Sequence, residues 1–117
     1  MQNITIWHNP RCSKSREAMT ILEENSCNAE VVKYLDSKPT VNEIKNVLQM
    51  LNLSARELMR TKEDIYKELN LSKEDSEEKL IEAMATHQKL IERPIIIKGD
   101  RAIIGRPTSR IAEFLNS

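Results

Sequence analysis

The order in which hydrophobic patterns follow one another restricts the fold of this chain more than any single residue does. Residues 3–7 alternate between polar and apolar side chains, as a half-buried strand does. A helical spacing of apolar residues follows over about 13–25, and a second strand is predicted at 30–34. A strand, a helix and a strand in this order normally close as a right-handed crossover between parallel strands. The start of the chain therefore predicts an α/β fold.

The middle of the chain is predicted to be helical. Thr40 and Ser54 each precede a glutamate by three residues, which is the capping-box pattern that opens a helix. We expect the helix that begins after Ser54 to run to Leu69, and a third helix to follow residues 72–75.

Two strands and a helix are predicted to end the chain. Residues 94–98 and 101–104 are expected to form a hairpin, because Gly99-Asp100 has glycine first, as a type II′ turn requires. Thr108 is expected to cap the last helix through its side chain.

The complete order of elements is β-α-β, then helices, then β-β-α. This order matches an α/β thioredoxin-like fold, a four-stranded mixed sheet with a helical region inserted before the third strand. We expect a single domain over residues 1–117 with the insertion at about 40–90, because 117 residues leave no room for a second independent core.

Composition argues against several classes of protein. Lys and Arg together number 18, as do Asp and Glu, and aromatic residues make up only 3% of the chain. A nucleic-acid-binding protein would show a basic excess or stacking aromatics, so we expect no nucleic-acid partner. Two cysteines and two histidines suggest neither a disulfide framework nor a metal site. No apolar run is longer than three residues, as at 95–97, and no signal-peptide pattern is seen, so we expect no membrane span and a cytoplasmic location.

Cys12 is the residue on which the functional prediction depends. It stands between the first strand and the first helix, where backbone N–H groups and the helix dipole stabilise a thiolate. Arg11, Lys14 and Arg16 add positive charge, and a protonated His8 would favour the thiolate further. The alternative, a small buried hydrophobic residue, fits poorly with these polar neighbours. The pattern therefore predicts a reactive thiolate.

No second cysteine lies within reach of Cys12. Ser15 occupies the position that a C-x-x-C pair would need, and Cys27 lies past the far end of the helix. At ~1.5 Å per helical residue that is roughly 20 Å away, whereas a disulfide needs Cα atoms within about 7 Å. Any redox cycle through Cys12 therefore needs an external thiol, for which glutathione is the obvious candidate. Ser15 either donates a hydrogen bond to the thiolate or is simply a first-turn helix residue.

Arginines that bind an oxyanion at Cys12 must come from elsewhere in the chain, because the C-x5-R pattern of phosphatases is absent. The candidates are Arg60, Arg93 and Arg106. Arg93 and Arg106 each precede a proline at the end of a predicted strand. Planar guanidinium groups suit tetrahedral oxyanions, although an arginine taken alone is more often a solvated surface charge.

Four segments of the chain resemble the ArsC-type, glutaredoxin-dependent arsenate reductases. They are HNPRCSKSR at 8–16, SARELMR at 54–60, ERPI at 92–95 and GRP at 105–107, in the family order and over nearly the whole chain. The resemblance implies that Cys12 is the catalytic nucleophile and that His8 helps to keep it ionised. It implies three arsenate-binding arginines, which are Arg60, Arg93 and Arg106. Asn9 and Ser15 also match the motif and are carried over as substrate-binding residues.

The resemblance also implies a thioredoxin-like fold with a cis peptide bond before Pro94. The implied activity is the reduction of arsenate to arsenite, a step of arsenic detoxification. Glutathione would be the reducing co-substrate and glutaredoxin a partner, with no bound cofactor and no metal. We expect a monomer.

Two alternatives remain at this stage. The first is a glutathione-linked thiol oxidoreductase that acts on glutathionylated proteins or on another oxyanion. The three arginines argue against the protein-disulfide reaction, which has no need of them. The second is a non-catalytic, Spx-like regulator that binds RNA polymerase. Ser15 argues against this regulator, because that group typically carries a second cysteine at this position.

Overall fold

The structure is a computed structural model that describes residues 3–116 of the chain. The described residues divide into two compact units. The first unit is formed by residues 3–37 together with residues 93–116, and the second unit is Lys38–Glu92. Within residues 3–116, none of the helices combines the length and the hydrophobicity needed to cross a bilayer.

The elements follow the predicted order. The strands are β1 (Ile4–Trp7), β2 (Glu30–Val32), β3 (Ile95–Lys98) and β4 (Arg101–Ile104). Along the described residues the α-helices are α1 (Ser13–Glu24), α2 (Tyr34–Ser37), α3 (Val41–Leu51), α4 (Ala55–Leu58), α5 (Asp64–Glu68), α6 (Glu77–Thr86) and α7 (Ser109–Leu115). Short 3₁₀ turns lie at Leu71–Lys73 and Gln88–Leu90.

A four-stranded mixed sheet organises the first unit, as the sequence predicts. The strand order is β2-β1-β3-β4, with β1 parallel to β2 and antiparallel to β3. β4 pairs with β3 in a hairpin, where Gly99 has a φ of 62°. A positive φ at the first turn residue is what a type II′ turn requires.

The register of the sheet brings four strand ends to one edge. Trp7 at the end of β1 pairs with Val32 at the end of β2 and with Ile95 at the start of β3. Ile95 in turn pairs with Ile104 at the end of β4. The loops that carry Cys12, Lys33, Arg93 and Arg106 therefore all adjoin this edge.

A hydrophobic core fixes α1 and α7 against one face of the sheet. Its buried members are Ile6, Ala18, Leu22, Ile96, Ile111 and Phe114. Burial of an aliphatic side chain of this size contributes roughly 1.5–3 kcal/mol. The core therefore holds the start of α1, and with it Cys12, in a fixed position on the sheet.

The side-chain cap predicted at Thr108 is wrong. Thr108 precedes α7, but its backbone is already helical (φ −62°, ψ −21°), and its side chain makes no capping hydrogen bond. The hydroxyl of Thr108 instead donates to Oε2 of Glu17 in α1 at 3.4 Å. A capping residue needs an extended backbone to turn its oxygen back towards the helix, and Thr108 lacks it.

Both capping boxes of the second unit are confirmed. The side chain of Thr40 accepts a hydrogen bond from the N–H of Glu43, and the carboxylate of Glu43 accepts one from the N–H of Thr40. Ser54 and Glu57 form the same reciprocal pair at the start of α4.

The prediction of a helix from Ser54 to Leu69 is wrong. α4 ends at Leu58, and the backbone of Met59 is extended and bridges to Ile91. The N–H of Arg60 donates to the carbonyl of Leu90 at 2.7 Å. Pairing with a segment about thirty residues later therefore outweighs the local helix propensity, and the chain becomes helical again only in α5.

Candidate active site

The loop that ends at Cys12 is a tight turn built by its own hydrogen bonds. Cys12 is the N-cap of α1 with an extended backbone, and its N–H donates to the carbonyl of Asn9 at 3.0 Å. The side-chain oxygen of Asn9 accepts a hydrogen bond from the N–H of Arg11 at 3.0 Å. Asn9 therefore shapes the loop, while its predicted role in substrate binding stays a prediction. Cys12 itself is only 7% exposed.

The environment of Cys12 favours the thiolate. Burial alone raises the pKa of the Cys12 thiol. The backbone N–H of Ser15, the positive charge of Arg93, the backbone N–H of Lys14 and a hydrogen bond from Arg93 together outweigh that effect, so the pKa lies below its ordinary value. This is the stabilisation expected at a helix N-terminus, with one arginine added.

Arg93 and Arg106 approach Cys12 from the β3 and β4 side of the edge. Nη2 of Arg106 lies 3.5 Å from Sγ of Cys12, and Nε of Arg106 donates to the main-chain carbonyl of Arg93 at 2.7 Å. Nε and Nη1 of Arg93 are buried. The peptide bond before Pro94 is cis, as expected, and so is the one before Pro107, which the sequence does not indicate.

His8 and Ser15 form a buried pair beneath the loop. Nδ1 of His8 lies 2.7 Å from Oγ of Ser15, and the same oxygen accepts a hydrogen bond from the N–H of Asn9 at 3.0 Å. Ser15 is completely buried. Of the two roles considered for Ser15, donation to the thiolate is not observed, because its hydroxyl contacts His8 and Asn9.

The surroundings of His8 disfavour a protonated ring, and its predicted role in keeping Cys12 ionised stays a prediction. Burial lowers the pKa of His8, and the nearby positive charges of Lys33 and Arg16 lower it further. These influences favour the neutral form of the ring, and Nδ1 of His8 is linked to the Cys12 loop through Ser15. The local sequence shows His8 four residues from Cys12 but not its burial.

Arg60 belongs to the second unit, where two carboxylates hold it. Nη1 of Arg60 pairs with Oε1 of Glu63 at 2.8 Å, and Nε lies 3.9 Å from Oε1 of Glu92. These contacts and the backbone bond to Leu90 fix the orientation of the guanidinium within its unit. Its predicted role in oxyanion binding stays a prediction.

Lys33 is a charged neighbour of His8 that sequence reasoning misses. It directly follows β2, and its charge acts on His8, which directly follows β1. The predicted crossover indicates this position, because parallel strands bring their carboxyl ends to the same edge of a sheet.

Cys27 is a separate free thiol beyond the far end of α1. Among residues 3–116, no group of three or more His, Cys, Asp or Glu side chains is arranged to hold a metal ion.

The fold and the site together define a class of protein. The class is that of small thioredoxin-like α/β proteins with a cysteine at the N-terminus of the first helix. The helix N-terminus and neighbouring arginines stabilise the thiolate of that cysteine. The model of the ArsC family matches residues 7–114, and the chain therefore belongs to the ArsC family.

Relatives and solved structures agree with this assignment. A Neisseria meningitidis protein named arsenate reductase is 48% identical over 117 residues, covering 98% of this chain and 100% of the relative. An Escherichia coli protein of the same name is 32% identical, covering 98% of this chain and 82% of the relative. A structure named arsenate reductase from Vibrio cholerae superimposes with a TM-score of 0.92 at 46% identity, covering 96% of this chain and 97% of that one. The predicted thioredoxin-like fold is thereby confirmed.

Proposed function

We propose that this protein is an arsenate reductase that converts arsenate to arsenite. The observation that supports the proposal is that the thiol of Cys12 lies beside two arginines, Arg93 and Arg106. Nη2 of Arg106 lies 3.5 Å from Sγ of Cys12, and the charge of Arg93 lowers the pKa of that thiol. Guanidinium groups beside a thiolate suit a tetrahedral oxyanion, because the guanidinium groups bind its oxygens while the thiolate attacks its central atom. The names of relatives at 48% and 46% identity support the same substrate.

In the first step the thiolate of Cys12 attacks arsenic. A sulfur–arsenic(V) bond forms, and one arsenate oxygen takes up protons and leaves as water. Arg93 and Arg106 hold the remaining oxygens and stabilise the charge of the transition state. His8 and Ser15 keep the loop in the shape that presents Sγ.

The electrons come from two external thiols. The glutathione thiolate attacks arsenic in the adduct, and a second arsenate oxygen takes up protons and leaves as water. A glutaredoxin thiolate then takes the glutathione sulfur as a mixed disulfide, and the electron pair of the broken sulfur–arsenic bond stays on arsenic, which becomes arsenic(III). Water cleaves the bond between arsenic(III) and Sγ of Cys12, so that arsenite leaves and the Cys12 thiol is restored. This scheme requires no bound cofactor and no metal. It is suited to the cytoplasm, where glutathione keeps thiols reduced, and we propose that the enzyme acts there as a monomer in arsenic detoxification.

The choice of external thiols follows from the position of the cysteines. α1 has 12 residues, and Cys27 lies beyond its far end. A helix of that length spans about 18 Å, far more than the roughly 7 Å that a disulfide allows between Cα atoms. The Spx-like alternative would need a second thiol at position 15, where Ser15 is buried and bonded to His8.

The test is arsenate-dependent oxidation of NADPH with glutathione, glutaredoxin and glutathione reductase present. We expect turnover in the parent protein, none in Cys12→Ser, and nearly unchanged turnover in Cys27→Ser. Arg93→Ala is expected to raise the KM for arsenate, because a charged hydrogen-bond partner of the oxyanion is lost. A folded parent protein with a reactive Cys12 but no turnover would reject arsenate as the substrate and favour a thiol oxidoreductase of another specificity.

A further inference from the structure

Two exposed cations flank the Cys12 loop without belonging to the proposed arsenate site. Arg16 lies in the first turn of α1, and its Nη1 donates to the carbonyl of Pro10 at 3.0 Å. Its guanidinium therefore lies over the loop that presents the thiol. Lys33 follows β2, next to the end of β1 from which that loop leaves the sheet.

The strand register fixes the position of Lys33. Val32 is the pairing partner of Trp7, and the N–H of His8 donates to the carbonyl of Val32 at 2.9 Å. The backbones of His8 and Lys33 therefore leave the sheet side by side. Both Arg16 and Lys33 lie close enough to His8 for their charges to act on it.

The charges of Arg16 and Lys33 are not balanced locally. Among the residues that the structure describes, neither forms an ion pair with a carboxylate, whereas Lys14 pairs with Glu17. The chain as a whole carries 18 basic and 18 acidic residues. Positive charge beside His8 and Pro10, at the start of the Cys12 loop, is therefore a local feature and not a consequence of a basic protein.

We propose that Arg16 and Lys33 bind the carboxylates of the thiol that reacts at Cys12, and so select an anionic thiol over a neutral one. The inference rests on the proposed function, in which an external thiol attacks the adduct on Cys12. Glutathione carries two carboxylates and one ammonium group, so its thiolate approaches with a net negative charge. Arg16 and Lys33 are on this basis residues that determine specificity for the reductant.

The physical basis is attraction between exposed charges. Such pairs are worth up to about 1 kcal/mol each at a protein surface, which corresponds to at most about a fivefold change in rate for one pair. The attraction also raises the frequency of productive encounters, and it weakens as salt is added. Both effects depend on the charge of the thiol and not on its nucleophilicity.

The test uses thiol–disulfide exchange and requires no arsenate. In a Cys27→Ser background, Cys12 is converted to a mixed disulfide with 2-thiopyridine by the neutral reagent 2,2′-dithiodipyridine. An added thiolate attacks Sγ of Cys12, a new disulfide forms, and 2-thiopyridone leaves and is followed by its absorbance. Rates are compared for glutathione and for glutathione diethyl ester, which lacks both carboxylates.

Arg16→Gln and Lys33→Gln are each expected to slow the reaction of glutathione by about two- to fivefold, and the double variant by about tenfold. The rate with the diethyl ester is expected not to fall. Arg16→Lys and Lys33→Arg, which keep the charge, are expected to retain most of the glutathione rate. Raising the ionic strength is expected to reduce the advantage of glutathione in the parent but not in the double variant.

Arg101→Gln is the matched control. Arg101 lies opposite Lys98 in the register of β3 and β4, and Lys98 lies opposite Ile4 in the register of β1 and β3. Arg101 is therefore at the opposite end of the sheet from His8. Its loss is expected to leave both rates unchanged. Equal losses for glutathione and its ester, or an unchanged glutathione rate in the double variant, would overturn the proposal. Because arsenate is absent, failure of the reductase assay leaves this result unaffected.

Discussion

Nη2 of Arg106 lies 3.5 Å from Sγ of Cys12, although 94 residues separate the two in the sequence. The sheet accounts for this contact. β1 and β4 end at the same edge because each is antiparallel to β3. The loop after β1 presents the thiol, and the loop after β4 presents the guanidinium. The topology therefore brings the thiol and the guanidinium together. The pairing of β1, β3 and β4 is enough to predict that the two loops lie at the same edge.

Removing the charge of Arg93 is expected to raise the pKa of Cys12. The charge and the hydrogen bond of Arg93 are two of the influences that keep this pKa below its ordinary value. In a Cys27→Ser background, the rate of alkylation by iodoacetamide follows the thiolate fraction as pH rises. The midpoint of that profile is expected to move upwards in Arg93→Gln, because the thiolate loses a positive charge and a hydrogen bond. Arg101→Gln is the control, and the same midpoint in Arg93→Gln as in the parent would contradict this account.

His8 is expected to make folding stability depend on pH. Its folded-state pKa is lowered, so the unfolded chain takes up a proton at about pH 6.5 while the folded protein does not. The stabilising contribution is therefore present above about pH 6.5 and is lost as pH falls through and below that value. Urea unfolding of the parent and of His8→Gln, followed between pH 5 and 8, measures it. The difference between the two proteins is expected to shrink at low pH, and a constant difference would disprove neutral burial of His8.

Ser15→Ala is expected to destabilise the protein by roughly 1–3 kcal/mol, because it removes a buried hydrogen-bond partner. The oxygen of Ser15 serves both the N–H of Asn9 and the ring of His8. Ser13 is the matched control, since it is an exposed serine of the same helix turn. Ser13→Ala is expected to change the free energy of unfolding by no more than about 0.5 kcal/mol. Equal changes in the free energy of unfolding for the two substitutions would show that the buried pair of His8 and Ser15 does not stabilise the fold.

Local patterns predicted the fold where local interactions decide it. The capping box at Thr40 needs only a glutamate three residues later, and the structure contains it. The prediction that the helix continues beyond Leu58 is wrong because the helix ends where Met59 pairs with Ile91, which lies far away in the sequence. A single-sequence pattern does not contain such a pairing.

The candidate site shows the same division. Cys12 could be singled out from its polar neighbours and its place before a helix. The lowered pKa of His8 could not be predicted, because burial is a property of the folded chain. Lys33 could have been found by carrying the predicted parallel pairing of the first two strands one residue further.

Arg106→Lys is expected to weaken oxyanion binding even though the positive charge is kept. The guanidinium makes two contacts at once, since Nε donates to the carbonyl of Arg93 and Nη2 faces the sulfur of Cys12. A lysine ammonium is a single point charge and cannot hold the backbone of Arg93 while facing the anion. Protection of Cys12 from alkylation by arsenate measures this binding without requiring turnover. We expect half-protection in Arg106→Lys to need about tenfold more arsenate than in the parent, which corresponds to one lost charged hydrogen bond. Arg101→Lys serves as the control, and full protection of Arg106→Lys at the parent's arsenate concentration would show that charge alone suffices.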